Sequence, residues 1–146
     1  LYTFWRRIVG PTGFFDTAAR QVCVVKPTRT NSPLHALTTL NDETFVEAAR
    51  ALAESILHQE CGPVEDRITA ASRRVLGRGP RADERSVLLQ AYDRLHRQLA
   101  ADPESARRFL AVGESPRDEK LDAADHAALA AVCLAILNLD EALTKE

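Results

Sequence analysis

From residue 32 onward, apolar residues recur every three or four positions, and the breaks between these runs fall on cap and turn residues. Ser32-Pro33 opens the first run, since serine satisfies an orphan backbone donor and proline pre-sets the first helical φ. A short helix to about Leu40 is expected. Asn41 or Asp42 then caps a second helix, with Glu43 near the positive end of its dipole. Phe45, Ala49, Leu52 and Ile56 step along it by three or four, joined by Ala48, Ala53 and Leu57, until Gly62-Pro63 ends it. A third helix from about Val64 to Leu76 turns Val64, Ile68, Ala71, Val75 and Leu76 inward and stops at Gly77. Asp83 and Glu84 sit in the first turn of a fourth, whose stripe is Val87, Leu88, Ala91, Tyr92, Leu95 and Leu99. Asp102-Pro103-Glu104 repeats the cap-plus-proline start for a fifth, ending at Gly113. Residues 114–120 read as a polar linker. Asp122, with Asp125 three residues on, opens the last helix. Its run Ala127 to Leu137 is apolar on nearly every face, the mark of a central helix surrounded by others.

Residues 1–31 show no such period. Gly10-Pro11-Thr12-Gly13 is a turn signal, and Gln21 to Val25 has β-branched character without an evident strand partner. The expectation is an all-α protein: an irregular basic N-terminal segment over 1–31, then a compact bundle of five to six helices over 32–146, together one domain.

Composition supports that class. The chain has 146 residues, a usual size for one domain, and 45% hydrophobic residues with only 5% aromatics. Alanine and leucine must therefore supply most of the core, which helices tolerate better than sheets. The net charge of −2 hides an asymmetry. Up to residue 40, five basic residues (Arg6, Arg7, Arg20, Lys26, Arg29) face Asp16 alone, leaving 14 basic and 20 acidic residues beyond. A basic arm suggests either nucleic-acid binding or docking on the acidic helical body of the same protein. The arm lacks the dense Lys/Arg run that phosphate binding favours, so docking is expected and nucleic acid is not. No run approaches the 18 apolar residues of a membrane span, and Leu1 to Val9 does not form the apolar core of a signal peptide. Absent methionine and a start at Leu1 lead us to expect a fragment or a processed product.

Catalytic and metal chemistry have thin support. Cys23, Cys61 and Cys133 are scattered and odd in number, with no Cys-x-x-Cys for zinc and no Cys-x-x-Cys-His for covalent haem. Cys133, inside an apolar run, is expected to be a buried small hydrophobe; a Cys23–Cys61 disulfide has no spacing rule behind it. His58, His96 and His126 fall on separate helices and none has a partner at His-x-x-x-His spacing, so they are expected to be solvated surface residues rather than metal ligands. Asp122 and Asp125 are expected to be a capping pair. Arg73-Arg74 and Arg107-Arg108 sit where cations offset helix C-terminal dipoles.

One segment stands out as a signature: Arg29-Thr30-Asn31-Ser32-Pro33-Leu34-x-Ala36-Leu37, then Leu40-Asn41-Asp42-x-x-Phe45-Val46-Glu47-Ala48-Ala49-Arg50-Ala51-Leu52-Ala53. Leu1-Tyr2-x-Phe4-Trp5-Arg6-Arg7, Leu76-Gly77-Arg78-x-Pro80-x-x-x-Glu84, Val112-Gly113-Glu114-Ser115-Pro116 and the closing Leu137 to Glu146 accompany it. Taken together, these motifs resemble the domain of unknown function at the C-terminus of large planctomycete cytochrome-c-type proteins. The resemblance implies an extracytoplasmic (periplasmic) setting, upstream domains of the same full-length protein as partners, and haem c on a separate upstream domain with no cofactor in this chain. It implies no mechanism.

Arg29, Thr30, Asn31, His35, Asn41 and Asp42 are the candidate site residues. As a site, Arg29 would bind an anion and His35 would act as a general base. As structure, Ser32-Pro33 and Asn41-Asp42 are helix starts, Arg29 bonds carboxylates or helix C-terminal carbonyls of its own chain, and the resembled family carries Gln where His35 stands. The structural reading is preferred. It makes the chain a non-catalytic helical module; the alternative is part of a hydrolase or redox-associated enzyme whose active site is shared with an upstream domain.

Overall fold

The computed structural model describes residues 33–60 and 62–143, with the side chains of Leu34 and His35 left aside. Seven helices follow one another: α1 (Pro33–Asn41), α2 (Glu43–Gln59), α3 (Val64–Leu76), α4 (Ala82–Ala101), α5 (Pro103–Leu110), α6 (Ala123–Leu137) and α7 (Asp140–Leu143). No strand occurs among the described residues. Six of these helices match the expected ones, and α7 adds a single turn after them. The question of a Cys23–Cys61 pairing and the expected docking of the basic arm lie outside the described residues.

The helix ends form for the reasons their residues suggest. Asp42 has extended backbone and its carboxylate accepts the Thr44 N–H at 2.9 Å, which starts α2. Asp102 and Asp122 do the same for Ser105 and Asp125, with Pro103 at the first turn of α5. Gly77 closes α3 in the left-handed region at φ 73°, its N–H returning to the Arg73 carbonyl. The fifth helix stops at Leu110, short of the expected Gly113. Gly113, at φ 96°, instead turns the chain into the linker that leads to α6.

Helix α6 is the axis of the bundle. It packs against α2, α3, α4 and α5, and nine of its fifteen residues are buried. A helix hydrophobic all round has to be enclosed, and this one is. Val132, Leu129, Ile136 and Cys133 meet Ile56, Ala49 and Ala53 of α2 and Ile68 and Ala71 of α3 in one core, with Tyr92 from α4. The small residues of α2 and α6 leave room for the helices to lie close together. A second small cluster joins Ala106 and Leu110 of α5 to Ala127. Leu134 is buried and Leu137 half-buried, as a central last helix requires. Cys133 is a free, fully buried thiol, and that burial pushes its pKa up to about 12, so it stays an uncharged hydrophobe.

Candidate functional site

Glu47, Arg50, Glu54 and His58 step by three and four along α2 and so share one face, away from its apolar stripe. The linker between α5 and α6 lies along that face. One oxygen of the Glu47 carboxylate accepts the Ser115 N–H at 2.7 Å and also the Ser115 hydroxyl. Arg50 donates from Nη2 to the Ser115 carbonyl at 2.6 Å. Further along, Glu54 accepts the Asp118 N–H at 3.3 Å, and His58 Nε2 stands 3.4 Å from the Asp118 carboxylate. The Ser115 hydrogen bonds, side chain first and backbone second, hold the Glu47 carboxyl below its ordinary pKa. Gly113 completes the arrangement: a Cβ there would come within 2.6 Å of the Glu47 carboxyl carbon, and its φ is positive. Only glycine lets the linker lie this close to α2.

Behind this clasp sits a buried polar pair. Arg50 is 2% exposed and His126, in the first turn of the core helix, is 0% exposed. His126 Nε2 lies 3.1 Å from the backbone carbonyl of Arg50. A carbonyl only accepts, so Nε2 carries the proton and Nδ1 is left as a bare acceptor. Burial lowers the His126 pKa, which keeps the ring neutral. Its Nδ1, Arg50 Nε and Arg117 Nη1 are buried with no hydrogen-bond partner among the described residues. His126 thus corrects the expectation of three surface histidines. It stands one residue before the apolar run Ala127 to Leu137, in a turn that the α2 backbone approaches at the Arg50 carbonyl. His58 is half-exposed as expected, and His96 stacks on Tyr92 with ring centroids 5.7 Å apart.

Two further knots tie the helices together. Asp122 caps α6, but Asp125 does more than share that turn. Its carboxylate accepts the Tyr92 hydroxyl and pairs with Arg67 at 3.0 Å, linking α3, α4 and α6. Arg78, just past α3, forks between two carboxylates: Glu84 at 2.8 and 3.0 Å and Glu141 of α7 at 2.8 and 2.6 Å. Glu84 also accepts the Arg81 N–H at the start of α4. Its bonds to Arg78, then to Arg81, bring the Glu84 pKa down to about 2.

Of the six candidate site residues, Asn41 and Asp42 are the two whose side chains are described. Asn41 donates from Nδ2 to the Leu37 carbonyl at 2.7 Å, folding back on its own helix, and Asp42 caps the next. Buried Thr39 bonds Asn138 at the end of α6 through its hydroxyl and so anchors α1 to the bundle. Arg29, Thr30 and Asn31 lie outside the described residues, as does the side chain of His35. A shallow hollow of about 190 Å³ opens beside the clasp, lined by Arg50, Glu54, His58, Ser115 and Pro116. Within it the Ser115 hydroxyl faces a carboxylate, not an imidazole, because His58 is drawn to Asp118 and His126 to the Arg50 carbonyl. No group of three His, Cys, Asp or Glu side chains that would hold a metal ion occurs among the described residues, and no helix among them is long and apolar enough to cross a membrane.

Sequence reasoning picked out the α1–α2 signature and passed over the polar face of α2. The spacing 47, 50, 54, 58 was there to be read. Its partner segment, 68 residues distant from Glu47, was not.

Residues 1–92 match the model of PSD1, described as a protein of unknown function, DUF1553. That span holds α1, α2, α3 and more than half of α4. Neither the curated proteins nor the solved structures gave a match. With well over half of its length matched, Pro33 to Asp42 and the Arg78–Glu84 pair included, the chain belongs to the PSD1 (DUF1553) family.

Proposed function

We propose that this chain is a non-catalytic helical module with a structural or interaction role, packing against other domains of a larger extracytoplasmic protein. In that protein, haem c would reside on a separate upstream domain, as the resemblance to cytochrome-c-type proteins implies. The observation that carries the reading is the use to which the motif residues are put. Glu47 and Arg50 hold Ser115, Arg78 holds Glu84 and Glu141, and Asn41 and Asp42 serve helix ends. Each of these polar groups is occupied by another part of the same fold.

The test is reconstitution. The chain and the domains encoded upstream in its reading frame are produced separately, mixed, and followed by size-exclusion chromatography and calorimetric titration. A stable complex whose formation leaves the chain's helical content unchanged supports the reading. Failure to associate, or a reading frame that encodes no other domain, contradicts it.

A further inference from the structure

The large apolar side chains that are exposed lie mostly on two regions of the bundle that touch. Among the described residues they are Leu37, Leu40, Val87, Leu139 and Leu143. Four of the five belong to α1 and to the α6–α7 corner, and these two regions meet at the bond between Thr39 and Asn138. Leu40 follows Thr39 directly and Leu139 follows Asn138, so leucines flank that bond on both sides. Leu37 and Leu40 are three residues apart and share a face of α1, while Leu139 and Leu143 are four apart. A single exposed leucine needs no explanation, but four on two regions that touch suggest a surface for something to cover.

We propose that residues 1–31 of this same chain cover it. The segment joins the described structure at the first turn of α1, about 6 Å along the helix from Leu37. It carries Tyr2, Phe4, Trp5, Phe14 and Phe15, five of the eight aromatic residues of the chain. Its charge is complementary as well. Five basic residues and one acidic residue face a remainder with 14 basic and 20 acidic, and Asp140 opens α7 at the corner itself. Apolar and aromatic side chains would bury the leucines while the arginines meet the acidic body, a combination a second copy of the helical surface does not offer. The inference goes beyond the module's proposed role and holds whether or not other domains bind.

Trp5 is the only tryptophan in the chain and reports on this directly. Its emission and acrylamide quenching are measured in the full chain, in the paired variant Leu37→Asp/Leu139→Asp, and in Val87→Asp, which changes an exposed apolar residue on α4 instead. Circular dichroism verifies that each variant keeps its helices, and sedimentation gives the mass. The expected result is a blue-shifted, quencher-protected Trp5 in the monomeric parent and in Val87→Asp. In the paired variant, emission should move toward that of tryptophan in water with at least a twofold rise in quenching. Water-like emission in the parent overturns the proposal. So does protection that the paired variant leaves intact, protection lost equally in Val87→Asp, or protection that appears only where sedimentation finds a dimer.

Discussion

Glu47 and Ser115 are 68 residues apart in sequence, yet one carboxylate oxygen of Glu47 receives both the backbone N–H and the hydroxyl of Ser115. That contact brings together the Phe45 to Ala53 segment of α2 and the Val112-Gly113-Glu114-Ser115-Pro116 linker. The segments are separate motifs along the chain and one feature in the fold. The linker is held by side chains from α2 rather than by backbone ladders of its own, so its position depends on a few groups.

Gly113 is the most constrained of these. Replacing it with alanine forces a Cβ into Glu47 and places an L side chain at φ 96°. Gly113→Ala should destabilise the chain by about 1–3 kcal/mol, and by less when Glu47 is also alanine, because the clash with the carboxyl group then disappears while the contact with the residue-47 Cβ and the φ penalty remain. Urea unfolding of the two single variants and the double variant measures this. Equal costs for Gly113→Ala in both backgrounds would mean that the close approach to the Glu47 carboxyl group is not what excludes a side chain.

His126 makes stability depend on pH. Its folded pKa lies below the ordinary 6.5 because the ring is buried, so the unfolded chain takes up the proton more readily. The stability that comes from the neutral ring is complete above about pH 6.5 and is lost progressively as pH falls from there through the lower folded value. His126→Gln keeps an N–H for the Arg50 carbonyl and removes the titration. Between pH 7.5 and 5 the parent should lose stability faster than His126→Gln, as measured by urea unfolding at each pH. Parallel curves would show that the histidine is not buried as a neutral group.

Tyr92 ties α4 to the Asp125–Arg67 pair. Tyr92→Phe preserves the ring in the core and deletes the hydroxyl, leaving one Asp125 oxygen without its donor. The expected cost is about 1–2 kcal/mol in thermal unfolding. Burial, and then the bond to Asp125, also raise the pKa of the phenol above its ordinary value. The tyrosine absorbance change removed by this substitution should therefore be one that appears only well above pH 10 in the parent. A Tyr92 signal titrating near pH 10, or unchanged stability, would dissolve this knot.

The helices were legible because their determinants are local. Asp42, Asp102 and Asp122 cap, Pro103 starts and Gly77 stops, and each acts within a few residues of itself. The centrality of α6 was legible for the same reason, since an apolar run with no polar face has only one place to go. What the sequence hid was pairing at a distance. Nothing near Ser115 points to Glu47, and nothing near Glu141 points to Arg78. His126 was misplaced because its neighbours Asp122 and Asp125 are polar. Its burial depends on which way the helix turns, and its polar atom is satisfied by a backbone carbonyl of α2 that no side-chain pattern announces.

Motif residues such as Glu47 hold the fold together, and a double-mutant cycle on Glu47 and Ser115 tests this most directly. Thermal unfolding is followed for Glu47→Ala, Ser115→Ala and the double variant. The structure predicts that each single change lowers Tm, by about 2–5 °C for Glu47→Ala, and that Ser115→Ala costs clearly less once Glu47 is gone. Strict additivity, or two single variants that unfold at the parent's Tm, would contradict the claim and return the motif to the candidates for a binding or catalytic surface.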